Sequence, residues 1–260
     1  TIGNTANAIR NFKQPNSIVT YIIDRNINYS NICISGCLFC AFYRKNNHPE
    51  AYVLSGKEIS EKILETVQQD GIQILMQGGL HPDFGIDFYE KMLKDIKNNH
   101  SIHIHAFSPP EIIHISKISG LKIEEVLKRL RKAGLDTIPG GGAEILVDKI
   151  RKKISPNKCS SQEWINVMET AHHMGIRSSS TMMFGHVEAI EDRVDHLLKI
   201  RDLQDKTGGF NAFIPWPFQP ENTRLKRVPV SGFEYLKTLA ISRIVLDNFT
   251  NIQASWVTQG

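Results

Sequence analysis

Short runs dominated by apolar residues alternate along this chain with longer stretches in which apolar residues recur every three or four positions. The first pattern predicts strands and the second predicts amphipathic helices. "INYSNICI" reads as a strand. "SGKEISEKILETVQQDG" then opens on Ser55 and Glu58, spaced as a capping box, and closes on Gly71. Ile59, Ile63, Leu64 and Val67 would form its apolar face. "IQILMQGG" predicts a second strand, and "DFYEKMLKDIKNN" a helix with Phe88, Met92, Leu93 and Ile96 on one side. "IHIHAF" is a third strand, followed by the helix "LKIEEVLKRLRKAG", which stops at Gly134. The alternation continues through "LDTIPGGG" and a helix from Ser160 to Gly175, where Ser160 and Glu163 repeat the capping pair. Strand "IRSSSTMMFG", helix "AIEDRVDHLLKIRDLQDKTGG", strand "FNAFIPW", helix "FEYLKTLAISRIVLDNF" and strand "NIQASWV" complete the series.

Seven strands with six intervening helices, without linker, repeat or low-complexity tract, predict one α/β domain over residues 1–260. Right-handed crossovers would wind the strands into a parallel (β/α) barrel of TIM-barrel type. A doubly wound open sheet is the alternative, and it needs a reversal of strand order. In such a barrel, function lies at the C-terminal ends of the strands. The conspicuous segments fall there in turn: the cysteine loop, "QGGLHP", "FSPPE", "PGGGAE", "FGHVE" and "PWPFQP".

Composition narrows the function classes. A hydrophobic content of 41% and a charged content of 22% are those of an ordinary globular protein. No apolar stretch approaches the roughly 20 residues that span a bilayer, so no membrane partner is expected. The opening "TIGNTANAIRNFKQPNS" is neither a signal nor a transit peptide; without an initiator methionine, a trimmed chain is expected. The net charge of +4 is mild. The basic runs "LKRLRKAG" and "DKIRKK" interleave with apolar residues as solvated helix faces do, so no nucleic-acid partner is expected. Three of the four cysteines crowd into residues 33–40, which suits a reducing cytoplasm better than a disulfide framework.

That loop, "CISGCLFC", spaces Cys33, Cys37 and Cys40 as C-x3-C-x2-C, while Cys159 lies far off in "SPNKCSS". A four-iron cluster needs one thiolate per iron, so three ligands leave one iron open to an outside molecule. A zinc knuckle completed by Cys159 or one of the ten histidines is the competing reading. Otherwise Cys159 is a packed or surface thiol. His103 and His105, two apart on a strand, point to the same side as core or barrel-lining residues.

The cysteine spacing, with Phe39 just before the last ligand, resembles the radical S-adenosylmethionine (SAM) superfamily. The resemblance implies a [4Fe–4S] cluster on Cys33, Cys37 and Cys40 whose open iron chelates SAM, and a one-electron reductant such as flavodoxin or ferredoxin. Phe39 would then lie near the adenine. Gln77, Gly78 and Gly79 would offer unobstructed backbone to the methionyl ammonium. Gly141 and its neighbours would let the backbone approach the ligand, and Glu144 would take the ribose hydroxyls. The stretch Gly185 to Glu188 would contact the adenine. His186 is the candidate proton acceptor, since imidazole titrates near neutrality; a structural histidine is the alternative.

"IIDRNINYSNICISGCLFCAFYR", "MQGGLHPD", "HAFSPPEI", "IPGGGAEILVDKIRKKISPNKC", "TMMFGHVE", "AFIPWPFQPENT" and "NIQASWVTQG" together resemble the cyclic dehypoxanthinyl futalosine synthase family of the futalosine route to menaquinone. The cysteine motif and "GGGAE" also resemble aminofutalosine synthase and the deazaflavin-precursor synthase. The resemblance implies hydrogen abstraction from a ribose carbon and ring closure onto the substrate's own benzoate. Arg25, Arg177 and Ser108 are candidate partners for that benzoate. Family members run on past residue 260 and begin upstream with a longer helical segment, so these residues are expected to leave an eight-stranded barrel unclosed.

Overall fold

The computed structural model describes residues 1–255. Helix α1 (Ile2–Lys13) is followed by β1 (Asp24–Asn28), α2 (Gly56–Gln68), β2 (Gln73–Gln77), α3 (Ile86–Asn99) and β3 (His103–Ala106). Next come α4 (Pro109–Ser119), α5 (Ile123–Ala133), α6 (Asp148–Ile154), α7 (Ser161–His173) and β4 (Ser178–Phe184). Helix α8 (Ile190–Thr207), β5 (Phe210–Pro217), α9 (Gly232–Val245) and β6 (Asn251–Ile252) complete the described order.

All the strand pairings are parallel and follow chain order, β1–β2–β3 and β4–β5–β6. Thr137 and Ile138 join the two sets: His105 bridges to Thr137, and Ile138 bridges to Ser178. The expected strand in "LDTIPGGG" is thus reduced to two bridging residues. Pro139 and three glycines follow at once, and neither residue type sustains a ladder. Helices α2, α3, α5, α7, α8 and α9 pack each on the next, as helices of successive parallel βα units do. Among the described residues, no pairing joins β1 to β6.

Burial alternates along the strands. Ile74, Met76, Ile104 and Ala106 are fully covered, while Gln73, Gln77, His103 and His105 occupy the opposite, inner face. A packed TIM barrel fills that face with branched apolar residues. Here it is polar on β3 and, apart from Leu75, on β2. The apolar stripe of α5, Val126, Leu127, Leu130 and Ala133, is buried almost completely, each larger side chain contributing about 1.5–3 kcal/mol.

Three expectations shift. β1 ends at Asn28 because the chain beyond it pairs with its own downstream loop, Ser30 with Val53 and Ile32 with Arg44. In α2 the inward face is Ile59, Ile63 and Thr66, leaving Leu64 and Val67 about half exposed at 49% and 47%. Short helices occupy two of the rim segments, α4 after β3 and α6 in "DKIRKK", the latter as its helical spacing suggests. Helix α1, packed on α9, had no expectation attached. The expected last strand continues past residue 255, and that part lies outside the described residues. No helix among the described residues is long and apolar enough to cross a membrane.

Candidate active site at the strand ends

The cysteine loop is held by segments from three other rim connections. Ile34 N–H donates to Leu80 O at 3.1 Å, and Leu38 N–H to Ile154 O at 2.8 Å. Asn157 Nδ2 donates to Ser35 O at 3.1 Å, and the Arg224 guanidinium donates to Gly36 O. Gly36 adopts a φ of 62°, a left-handed turn that glycine takes without a Cβ penalty. Within the loop, Cys33 Sγ accepts the N–H groups of Ser35 at 3.4 Å and Leu80 at 3.3 Å, and Ser35 Oγ lies 3.0 Å from Cys37 Sγ. Such donors stabilise thiolate sulfur and tune a cluster bound there.

All four cysteines are unpaired thiols. Cys159 is a packed one: the Arg151 guanidinium donates to its carbonyl at 3.0 and 2.7 Å, and burial pushes its thiol up. Among the described residues, no three His, Cys, Asp or Glu side chains draw together closely enough to chelate a single ion. For the zinc-knuckle alternative, no such ligand set is gathered among the described residues. A four-iron cluster instead takes its thiolates one per iron, spread around the cluster.

Glycines let the next strand ends close on this loop. A Cβ at Gly79 would overlap Ile32 O, and one at Gly78 would overlap the Tyr29 ring. Both glycines are therefore demanded first by protein packing. The Gly78 N–H is already engaged, donating to Glu111 Oε1 at 3.0 Å. Glu111 also accepts the Tyr29 hydroxyl at 2.6 Å, the Ser108 N–H at 2.8 Å and the Ser108 hydroxyl at 2.5 Å. Burial pushes its carboxyl up, and those donors pull it back. The group ties the ends of β1, β2 and β3 together, with the adjoining Phe107 held at a φ of 61°. Gly141 faces the Gln77 amide, and a Cβ there would lie 3.4 Å from Ser108 Cβ.

Glu144 sits in the next rim loop, 5% exposed and at a φ of 40°, a strained backbone for a non-glycine residue. Its Oε1 accepts Lys158 Nζ at 2.9 Å, and its Oε2 lies 3.7 Å from Arg151 Nη1 without a hydrogen bond. A buried carboxylate oxygen left open beside two cations is suited to a ligand hydroxyl. Burial alone would lower the Lys158 ammonium; Glu144, and then the Cys37 thiolate, carry it above its ordinary value. Lys158 Nζ also lies 5.1 Å from the centre of the Phe39 ring, which links Phe39 to the same cluster of groups. Burial pushes the Cys37 thiol up, opposed by Lys158. Three loop cysteines with amide donors on sulfur, glycine-lined backbone and an open carboxylate oxygen fit a cluster and SAM.

Other expected residues stand elsewhere. Arg25, early in β1, pairs with Glu65 and Lys62 O at the far end of the sheet from the cysteines. Arg177, just before β4, donates to Asn211 Oδ1 and Gly208 O at that same end. Neither reaches the rim, because a residue that begins a strand lies a full strand length from its C-terminal end. The Ser108 hydroxyl reaches the rim, but it is engaged by Glu111. Glu188 is held locally, accepting Gly185 N–H at 2.5 Å and His186 N–H at 2.8 Å from its own turn and Arg193 Nε at 2.9 Å from α8. Only the backbone of this stretch is left for an adenine. His186 is buried in the same turn. Its Nε2 donates to Met183 O at 3.1 Å, its Nδ1 lies 3.3 Å from Glu188, and burial holds its pKa below the ordinary value.

Glu111, Lys158 and Arg151 escaped the sequence reading. The capping-box spacing of Ser108 and Glu111 carried a signal for the first. No local pattern marks Lys158 or Arg151, which reach Glu144 only through the fold.

Residues 27–200 match the radical SAM superfamily, and residues 207–260 match the CofH/MqnC C-terminal region. The chain is 46% identical, over its whole length and 70% of the relative's, to a cyclic dehypoxanthine futalosine synthase of Halalkalibacterium halodurans. It is 47% identical, over 93% of its length and 66% of the relative's, to a 5-amino-6-(D-ribitylamino)uracil–L-tyrosine 4-hydroxyphenyl transferase of Methanosarcina barkeri. The chain thus spans about two thirds of the length of these curated relatives. Methylornithine synthase shares the fold at a TM-score of 0.71 and 15% identity, over 98% of this chain and 76% of that one. Members of this superfamily are enzymes that use a [4Fe–4S] cluster and SAM. This chain belongs to the radical SAM superfamily and, within it, to the family that contains the cyclic dehypoxanthine futalosine synthases.

Proposed function

We propose that this chain is a cytoplasmic radical SAM cyclase that converts dehypoxanthine futalosine into its cyclic form in menaquinone biosynthesis. The observation that supports the reading best is 46% identity to the futalosine synthase through the entire chain, against 42% to a tyrosine hydroxyphenyl transferase matched over 99% of it and 47% to one matched over 93%. Residues 1–260 act as one domain of the barrel type. Cys33, Cys37 and Cys40 hold the cluster, which a flavodoxin- or ferredoxin-type donor reduces. Phe39, Gln77, Gly141 and Glu144 surround SAM, and the backbone of Gly185 to Glu188 meets its adenine.

When bound, the cluster and SAM supply a 5′-deoxyadenosyl radical, which takes hydrogen from the ribose C4′. The substrate radical then closes onto the benzoate ring of the same molecule, and loss of one electron and one proton restores aromaticity. The protein's part is enclosure and placement. The polar inner face holds the sugar in reach, and the rim loops exclude water from a reactive carbon radical.

The test is anaerobic reconstitution with iron and sulfide, followed by SAM, reductant and substrate deuterated at the ribose C4′. Cyclised product should appear with 5′-deoxyadenosine that carries deuterium in its methyl group. A parallel arm offers L-tyrosine and 5-amino-6-(D-ribitylamino)uracil. Turnover in that arm alone would replace the cyclase reading with the transferase one.

A further inference from the structure

A group on the inner face of the sheet lies outside the residues assigned above to the cluster and SAM. Thr137 bridges the two histidines of β3: its Oγ1 lies 2.7 Å from His103 Nε2 and 2.7 Å from His105 Nδ1. The other ring nitrogen, His105 Nε2, is 3.3 Å from Ser179 Oγ, which accepts the Gly140 N–H at 3.1 Å. Gly140 adjoins Gly141, which faces Gln77 and Ser108 at the glycine rim. The hydrogen bonds run from His103, the first residue of β3, to Ser179 and the Gly140 N–H, and the chain continues from Gly140 into the glycine rim at Gly141.

Two complete sets of hydrogen positions satisfy this line, because a neutral imidazole and a hydroxyl each both donate and accept. In one set, Ser179 O–H donates to His105 Nε2, His105 Nδ1–H donates to Thr137, and Thr137 O–H donates to His103 Nε2. In the other, His103 Nε2–H donates to Thr137, Thr137 O–H to His105 Nδ1, and His105 Nε2–H to Ser179. Passing from the first to the second takes up one proton at Ser179 and leaves one on His103. Burial, and then the neighbouring His103, lower the His105 pKa to about 3, so His105 stays neutral and passes a proton without storing it.

We propose that Ser179, His105, Thr137 and His103 form a proton relay that carries away the proton released when the product ring regains aromaticity. This rests on the cyclase reading above. Once the new C–C bond has formed, the ring carbon at that bond still holds its hydrogen. Breaking that C–H bond releases one electron, to a one-electron iron–sulfur acceptor, and one proton. Ser179 takes the proton as its own hydrogen moves to His105. His105, Thr137 and His103 act through Ser179 and are positioning residues for this step. The half-buried His103 delivers the charge to the opposite end of β3.

Thr137→Val keeps the shape of the side chain and breaks both imidazole contacts, while Thr137→Ser restores them. In the reconstituted Thr137→Val enzyme, cyclised product per 5′-deoxyadenosine should fall about tenfold, with SAM binding and iron content changed less than about twofold. Thr137→Ser should recover the ratio. Nitrogen-15 histidine spectra of the cluster-free protein should show both His103 and His105 shifted by Thr137→Val. An unchanged product ratio, or equal loss of product and 5′-deoxyadenosine, overturns the relay and leaves the cyclase reading standing. A wild-type chain that forms no cyclised product overturns the cyclase reading and the relay's role together.

Discussion

Two buried carboxylates, Glu111 and Glu144, stand at neighbouring strand ends and are treated in opposite ways. Glu111 has no cation among its hydrogen-bond partners, yet it accepts four donors from three strand ends. Glu144 has two cations beside it, a strained backbone and one oxygen without a hydrogen bond. A saturated buried carboxylate is scaffold: removing it strands every donor that it holds. An unsaturated one keeps capacity for something not yet bound, at a standing cost that the local cations offset. The rim therefore divides into a part that fixes the strand ends and a part that is poised for a ligand.

The thiolates between these two regions should show the largest effect. Iron content and the broad visible absorption should disappear in Cys37→Ala and survive in Cys159→Ala, as measured after anaerobic reconstitution. Loss of both in the Cys159 variant would make Cys159 a ligand and move Arg151 into the cluster's surroundings. Next comes the scaffold. Glu111→Ala leaves the Tyr29 hydroxyl and the Gly78 and Ser108 donors without their acceptor, and should lower unfolding free energy by about 3 kcal/mol in denaturant titration. Glu111→Gln, which can still accept at one oxygen, should lose less. Equal stability of the wild type and the alanine variant would break the contrast.

The ligand side should respond in binding rather than in stability. Glu144→Gln should weaken SAM affinity about tenfold, the worth of one charge-assisted hydrogen bond, with iron content retained. A large stability loss with normal SAM binding would place Glu144 with Glu111 as scaffold. The smallest effect belongs to Lys158, whose charge bears on both Glu144 and the Cys37 sulfur. Lys158→Met should lower the cluster's midpoint potential on the order of tens of millivolts, read by potentiometric spectroscopy, because a nearby cation favours the reduced form. An unchanged potential would confine Lys158 to its Glu144 contact.

Much of this organisation could be read before any coordinates. The alternation of apolar periods placed β2–β5 and helices α2, α3, α5, α7, α8 and α9, because side-chain period is a local property. Ser55–Glu58 and Ser160–Glu163 do form capping boxes. The cysteines were legible as a cluster motif because their ligands lie within eight residues of one another. The errors have local causes too. Leu64 and Val67 fit an apolar helix stripe, but the face that α2 buries is Ile59, Ile63 and Thr66. Arg25 and Arg177 were attractive as cations for a benzoate, yet their place in a strand decides which end of the sheet they can serve.

By itself, then, the sequence determined which segments become strands and helices, where the glycines and cysteines fall at strand ends, and to which superfamily the chemistry belongs. These follow from periodicity, capping and a compact ligand motif, all short-range along the chain. Only the tertiary structure decided that Gly78 serves Tyr29 and Glu111, that Lys158 reaches Glu144 and Phe39, and that Thr137 joins His103 to His105 and onward to Ser179. Those contacts join residues 14 to 119 positions apart along the chain. Parallel strand order and curvature bring them together, and no local pattern encodes them.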